Sequence, residues 1–144
     1  MKILVLGGAG AMGMVTVRDL ADSPGVSEVI IGDANIKKAQ EIAKWANKGK
    51  VSIQKVDISN FESLTSAMKE ADAVANAAPY HLNLTVTKAA IETGKNLTDL
   101  GGVYYMTLKQ LELDNEAKNA NVTVVLGCGL APGVADVLAK HGAD

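Results

Sequence analysis

The groups best suited to chemistry stand at short intervals along the chain, and the first of them is a glycine triplet. Gly8, Gly10 and Gly13, within Gly7-Gly8-Ala9-Gly10-Ala11-Met12-Gly13, have the G-x-G-x-x-G spacing. Each glycine has a separate use in holding a diphosphate. Gly8 permits a tight turn off a strand, Gly10 leaves no Cβ in the ligand's path, and Gly13 lets a helix pack closely on a sheet. The backbone amides of Ala11, Met12 and Gly13 then open a helix whose positive dipole end suits an anion. Asp33 follows Gly13 by 20 residues, where a carboxylate can accept hydrogen bonds from the ribose hydroxyls of a dinucleotide. An acid there repels a 2′-phosphate and so favours NAD over NADP. The lone arginine, Arg18, lies in the wrong element to reverse that preference. Lys37 and Lys38 are either phosphate partners or part of a solvated helix face.

The later candidates are single residues with two readings each. Asp57 and Ile58 could meet an adenine edge through a carboxylate and a backbone amide, or Asp57 could be a turn or cap residue. Ala77, Ala78 and Pro79 form a turn that can wall a cofactor cleft. Tyr80 and His81 come next, with His81 either a general base or the opening residue of a helix. Asp99 could face a nicotinamide or a substrate amine, or serve as an ordinary turn acid. Cys128 reads as a small residue in a tight loop, with a reactive thiol as the alternative. No His, Cys, Asp or Glu set has metal-ligand spacing, so no metal is expected.

These residues need elements to place them. Lys2 to Leu6 is a short apolar run that reads as a buried strand, and Met14, Val17, Leu20 and Ala21 recur at helical spacing after it. Val29 to Ile31 is a second strand, and Ile36, Ala39, Ile42, Ala43 and Ala46 mark a second helix running to about Asn47, closed by Lys48-Gly49. Val51 to Val56 alternates apolar and polar, as a half-buried strand near a sheet edge does. Ser59 and Glu62 have capping-box spacing ahead of a third helix. Ala73 to Ala75 reads as a central strand, Leu82 to Thr93 as a helix capped by Gly94, and Asn96 to Leu100 as strand five. A fifth helix is expected from Tyr105 to Ala120, strand six from Val122 to Leu126, and a last helix from Val134. Six strands alternating with helices specify an α/β fold, a doubly wound parallel six-stranded sheet of order 3-2-1-4-5-6, the Rossmann arrangement. Ligands in such sheets bind at the carboxyl ends of the strands, where every candidate above falls.

Composition narrows the function. The chain has 144 residues, a net charge of -2 and no basic stripe, and all of its 14 basic residues except Arg18 are scattered lysines. Nucleic acid is therefore not an expected partner. No apolar run approaches the roughly 20 residues of a membrane span, and the first strand begins at once, so a cytoplasmic protein is expected. Aromatic residues are only 3%, which points to an aliphatic core.

Four stretches together resemble the saccharopine dehydrogenase superfamily: Gly8 to Gly13, Asn76-Ala77-Ala78-Pro79-Tyr80, Thr98-Asp99-Leu100-Gly101-Gly102, and Gly129-Leu130-Ala131-Pro132-Gly133. The resemblance implies NAD- or NADP-dependent hydride transfer at an amine-bearing carbon of lysine, saccharopine or a related substrate. Asp99 to Gly102 looks more like the lysine 6-dehydrogenase branch. Ala131 stands where saccharopine reductases tend to carry Asp, which points the same way. The resemblance also implies a second, substrate-binding domain that this chain lacks, so the isolated chain is expected to bind cofactor and turn over little. A homo-oligomer is expected, from an edge left apolar for the missing domain. The competing reading is a stand-alone NAD-binding sensor of the kind that gates potassium transport, which shares the glycine loop and acid but not the later motifs.

Overall fold

The structure, a computed structural model, describes residues 1–46 and 49–144. Strand β1 (Lys2–Leu6) sits at the centre of the sheet because both of its faces are apolar. Ile3 and Val5 point to one side, Leu4 and Leu6 to the other, and all are buried. It pairs in parallel with β2 (Glu28–Asp33) on one flank and β4 (Ala73–Asn76) on the other. The edges are completed by β3 (Val51–Lys55), β5 (Asn96–Asp99) and β6 (Val124–Val125), giving the parallel order β3-β2-β1-β4-β5-β6. The expected doubly wound order is therefore the observed one.

Helices α1 (Ala11–Asp22) and α2 (Ile36–Ala46) cover one face, where Val17, Ala21, Ala39, Ile42 and Ala46 meet Ile3, Val5, Val29 and Ile31. Helices α3 (Phe61–Lys69) and α4 (Asn83–Thr93) cover the other, where Leu64, Met68, Val86 and Ala90 meet Leu4, Leu6, Ile30, Val74 and Leu97. Each fully buried Val, Leu, Ile or Met side chain contributes about 1.5–3 kcal/mol relative to exposure, so these two layers dominate the stability. Helices α5 (Tyr104–Leu111), α6 (Asp114–Asn119) and α7 (Ala135–Ala143) finish the chain. On the α1 side, the face beyond β1 is open at Ala73, Thr98 and Val125.

Several expected boundaries differ, among them strand six, which shortens from Val122–Leu126 to Val124–Val125. The fifth helix is broken in two at Leu113, whose φ of -88 and ψ of 9 leave the helix. Asp114 and Glu116 then lie in the first turn of α6, where carboxylates favour a fresh helix start. The third helix is capped by Asn60, whose side chain accepts from Ser63 N at 2.9 Å, rather than by Ser59. Ser59 is unavailable because its hydroxyl donates to Asp57 Oδ1 at 2.6 Å. The segment before α4 is a separate 3-10 turn over Tyr80–Leu82. The expected end of α2 at Asn47 and Lys48 lies outside the described residues.

A polar staple crosses the first three strands. Lys2 pairs with Glu28 at 2.9 Å, and Ser52 donates to Glu28 at 2.6 Å. The Ser52 hydroxyl and the Lys2 ammonium hold the Glu28 carboxyl below its ordinary value, and Glu28 in turn raises the Lys2 ammonium. Across the α1–α2 contact, Arg18 donates to Trp45 O at 2.9 Å and its guanidinium sits 5.2 Å from the Trp45 ring centre. Arg18 is thus a structural clamp, with Trp45 as its counterpart.

Candidate functional site

The site begins where β1 turns into α1. Gly7, not Gly8, takes the left-handed conformation, with φ of +68. A Cβ on Gly8 would instead lie 3.0 Å from both Ile31 Cγ2 and Val5 O, so Gly8 is required for packing. Gly13 is tighter still: a Cβ there would stand 2.1 Å from Gly7 O and 2.7 Å from Gly8 Cα. The helix can approach the loop only as glycine. Gly10 caps α1 with extended backbone, and its missing Cβ would meet only Gly7 O, at 3.0 Å. The first rung of the helix runs from Met14 N to Gly10 O, so the amides of Ala11, Met12 and Gly13 precede the ladder. They form an open donor set beside a position with no side chain in the way.

Asp33 ends β2 next to this loop. Its Oδ2 accepts from Ala9 N at 3.1 Å, and its Oδ1 accepts from Asn35 N at 2.8 Å. The carboxylate thereby fixes the glycine loop, and each oxygen retains acceptor capacity for a further donor. A cavity of about 250 Å³ lies beside it, lined by Gly7, Asp33, Asp57, Ile58, Ala78 and Pro79 among others. Six of the expected residues, counting Gly7 from the quoted loop, thus share one cleft at the carboxyl ends of four strands. Asp57 rims it with a carboxyl held below its ordinary value by the Ser59 hydroxyl and amide. Ala77 N donates to Leu6 O at 2.9 Å and Ala78 N to Asn76 Oδ1 at 3.1 Å, which presses the β4 turn against the glycine loop.

The catalytic candidates are placed differently. Tyr80 and His81 lie exposed in the 3-10 turn beyond β4, edge to face at 5.9 Å. The carboxylate of Asp99 does not face a ligand. It is 1% exposed, and both oxygens are taken by groups of the protein itself. Among the described residues, no group of three or more His, Cys, Asp or Glu could hold a metal ion.

No local sequence pattern marks Gly7 as the turn residue or Asn76, Asn83 and Thr87 as buried, and Gln110 is buried as well. Gln110 was visible in principle. It follows Val103 and Met106 at helical spacing, a polar residue on a stripe that is otherwise apolar.

The arrangement matches known proteins. The family model described as the saccharopine dehydrogenase NADP binding domain matches residues 3–125. The chain belongs to that family. It is 30% identical over 144 residues to alpha-aminoadipic semialdehyde synthase of Mus musculus, covering 99% of this chain and 15% of that protein. It is 32% identical over 79 residues to the NADP(+), L-glutamate-forming saccharopine dehydrogenase of Pyricularia oryzae, covering 55% of this chain and 17% of that protein. The solved saccharopine dehydrogenase of Saccharomyces cerevisiae shares the fold, with a TM-score of 0.83 and 24% identity over 96% of this chain and 29% of that one. The chain therefore spans a small part of the length of these relatives. It is an NAD(P)-binding Rossmann domain of the saccharopine dehydrogenase family of oxidoreductases. That membership does not favour the potassium-transport sensor. Nor does it favour NAD over NADP, since the family description names NADP.

Proposed function

We propose that this domain supplies the nucleotide half of an oxidoreductase site that moves hydride between a nicotinamide cofactor and an amine-bearing carbon of lysine or a related amino acid. The observation that carries the reading is the single cleft shared by Gly7, Asp33, Asp57, Ile58, Ala78 and Pro79 beside the open end of α1. The residues fit a dinucleotide. The amides of Ala11, Met12 and Gly13 take the diphosphate, and Gly10 leaves it room. Asp33 takes the ribose hydroxyls. Ile58 and Pro79, which line the same cleft, are the apolar residues available to the adenine. The bound dinucleotide supplies the hydride acceptor or donor. Substrate is held by residues outside 1–144, in keeping with the share of the relatives that this chain spans. Ala131, in a loop where saccharopine reductases tend to carry an acid, supports lysine rather than saccharopine.

The cofactor is NAD on this reading, because the Asp33 carboxylate repels a 2′-phosphate. Calorimetric titration of the domain with NADH and NADPH tests both claims. NADH is expected to bind more tightly, and Asp33→Ala to weaken it and narrow its advantage, at roughly 1.5–3 kcal/mol per hydrogen bond lost to the charged acceptor. A wild-type preference for NADPH would transfer the role to Lys37 and Lys38. Binding of neither would remove the dinucleotide reading.

A further inference from the structure

Asn76, Asn83, Thr87, Asp99 and Gln110, buried polar side chains, gather under one part of the sheet edge. Asn76 Nδ2 donates to Asn83 Oδ1 at 3.0 Å, and Asn83 Nδ2 reaches Gly101 O at 3.5 Å. Asp99 is the centre of the group. Its Oδ1 accepts from Gly101 N at 2.7 Å and Gly127 N at 2.9 Å, and its Oδ2 from Gln110 Nε2 at 2.8 Å. Its main-chain oxygen accepts from Cys128 N at 2.8 Å. Gln110 spends its other amide hydrogen on Thr87 Oγ1, at 2.8 Å.

Burying a carboxylate against amides rather than a cation is costly, so a specific geometry must require it. Three N–H groups converge on this side chain. A carboxyl group accepts them on both oxygens, whereas an amide in its place accepts on one oxygen and requires Gln110 to turn its own oxygen toward it. The convergence joins two loops backbone to backbone. A Cβ on Gly101 (φ +72) would lie 2.9 Å from Gly127 Cα, and one on Gly129 would lie 2.4 Å from Leu100 O. Those loops border a small cleft with Thr16, Ala77, Leu100 and Cys128, which meets the adenosine cleft at the β4 turn, where Ala77 lines the one and Ala78 and Pro79 line the other. A dinucleotide seated at the end of α1 with its adenosine in the one cleft directs its other half toward this one.

We propose that Asp99 is a positioning residue for the nicotinamide half of the cofactor. Its carboxylate fixes the Leu100–Gly102 and Gly127–Gly129 loops as one surface, and that surface, not the carboxylate, meets the ring. The proposal rests on the dinucleotide reading above. It is tested by titrating the domain with ADP, which fills only the adenosine and diphosphate positions, and separately with NADH, followed by nicotinamide fluorescence. Gln110→Met removes a donor to Asp99 from α5 and touches neither cleft. It is expected to weaken NADH about tenfold, one charge-assisted hydrogen bond's worth, and to return the bound emission toward that of free NADH. ADP affinity should stay within about twofold. Asp99→Ala should do the same more strongly. Asp99→Asn should recover part of the loss, since its oxygen can accept from both loop amides while Gln110 turns its own oxygen to the new NH2 group. A folded Gln110→Met and a folded Asp99→Ala that keep the wild-type ratio of NADH to ADP affinity would overturn the proposal. So would equal loss of both ligands, loss of folding in all three variants, or a wild-type domain that binds ADP as tightly as NADH. Wild-type binding of neither ligand would instead defeat the dinucleotide reading and this proposal with it.

Discussion

Gly10 and Gly13 share a motif, yet substituting them has different physical consequences. A side chain at Gly10 starts in ordinary backbone space, with φ of -75, and extends toward the place left open for a diphosphate. At Gly13 even a methyl group would meet the Gly7 carbonyl at 2.1 Å, and the atoms in the way are backbone. Gly10→Val is therefore expected to lose dinucleotide binding while melting near the wild-type temperature. Gly13→Ala should lose stability outright, by at least the roughly 1–3 kcal/mol typical of core overpacking. Thermal unfolding monitored by circular dichroism, paired with calorimetric titration, separates the two. A folded Gly10→Val domain with unchanged affinity would remove the phosphate role of this loop. The spacing of the triplet was legible in the chain because it follows an apolar strand and precedes a helical stripe. What the spacing could not tell was which glycine bends. Gly7 does, because its amide also donates to Gly32 O and its Cα lies against the β4 turn. Those are contacts between distant segments that no local pattern encodes.

Elements were legible where periodicity was strong and both layers of the core demanded it. β1 to β4 and α1 to α4 follow the apolar patterns, and the sheet order follows from right-handed crossovers. Elements beyond β5 were less legible, since α5, α6 and α7 bury few side chains and little packing fixes their limits. The staple of Lys2, Glu28 and Ser52 is also invisible along the chain, because only the register of β1, β2 and β3 brings the three together. Its contribution depends on pH in a defined direction. Glu28 titrates below its ordinary value of 4.5, so the stability it adds is present above that value and is lost as pH falls through the folded value. Lys2 titrates above its ordinary 10.5, so its share is intact below that value and is lost as pH rises past it. Ser52→Ala is expected to destabilise the domain slightly near neutral pH, as suits a pair about one-third exposed, and the deficit should vanish in acid. Urea unfolding from pH 3 to pH 8 measures this. A deficit that stays constant across the range would mean that the hydroxyl acts through packing rather than through the Glu28 charge.

On the proposed reading, the whole molecule presents one wall of a reaction site. On the adenosine side, the cleft is built from buried strands and a fixed glycine loop. On the other side, Tyr80, Tyr104 and Leu130 are 49%, 71% and 76% exposed, and the α7 residues Val137 and Leu138 are exposed as well. Asp99, under that edge, is committed to holding loops. Tyr80 and His81, at the rim, stand exposed to solvent, with their rings against each other. Hydride transfer needs donor and acceptor carbons held in a near-attack arrangement with water excluded, and such positioning supplies roughly 7–11 kcal/mol of barrier lowering. A wall that fixes the cofactor but not the substrate forgoes most of it. Residues 1–144 alone are therefore expected to bind dinucleotide without measurable turnover, many orders of magnitude below an intact dehydrogenase. The check is NADH formation at 340 nm from lysine and from saccharopine, run on the same preparation whose cofactor affinity has been titrated. Steady turnover near the 1–1000 per second typical of intact enzymes would show that this chain orders substrate by itself, with Tyr80 and His81 the first residues to substitute.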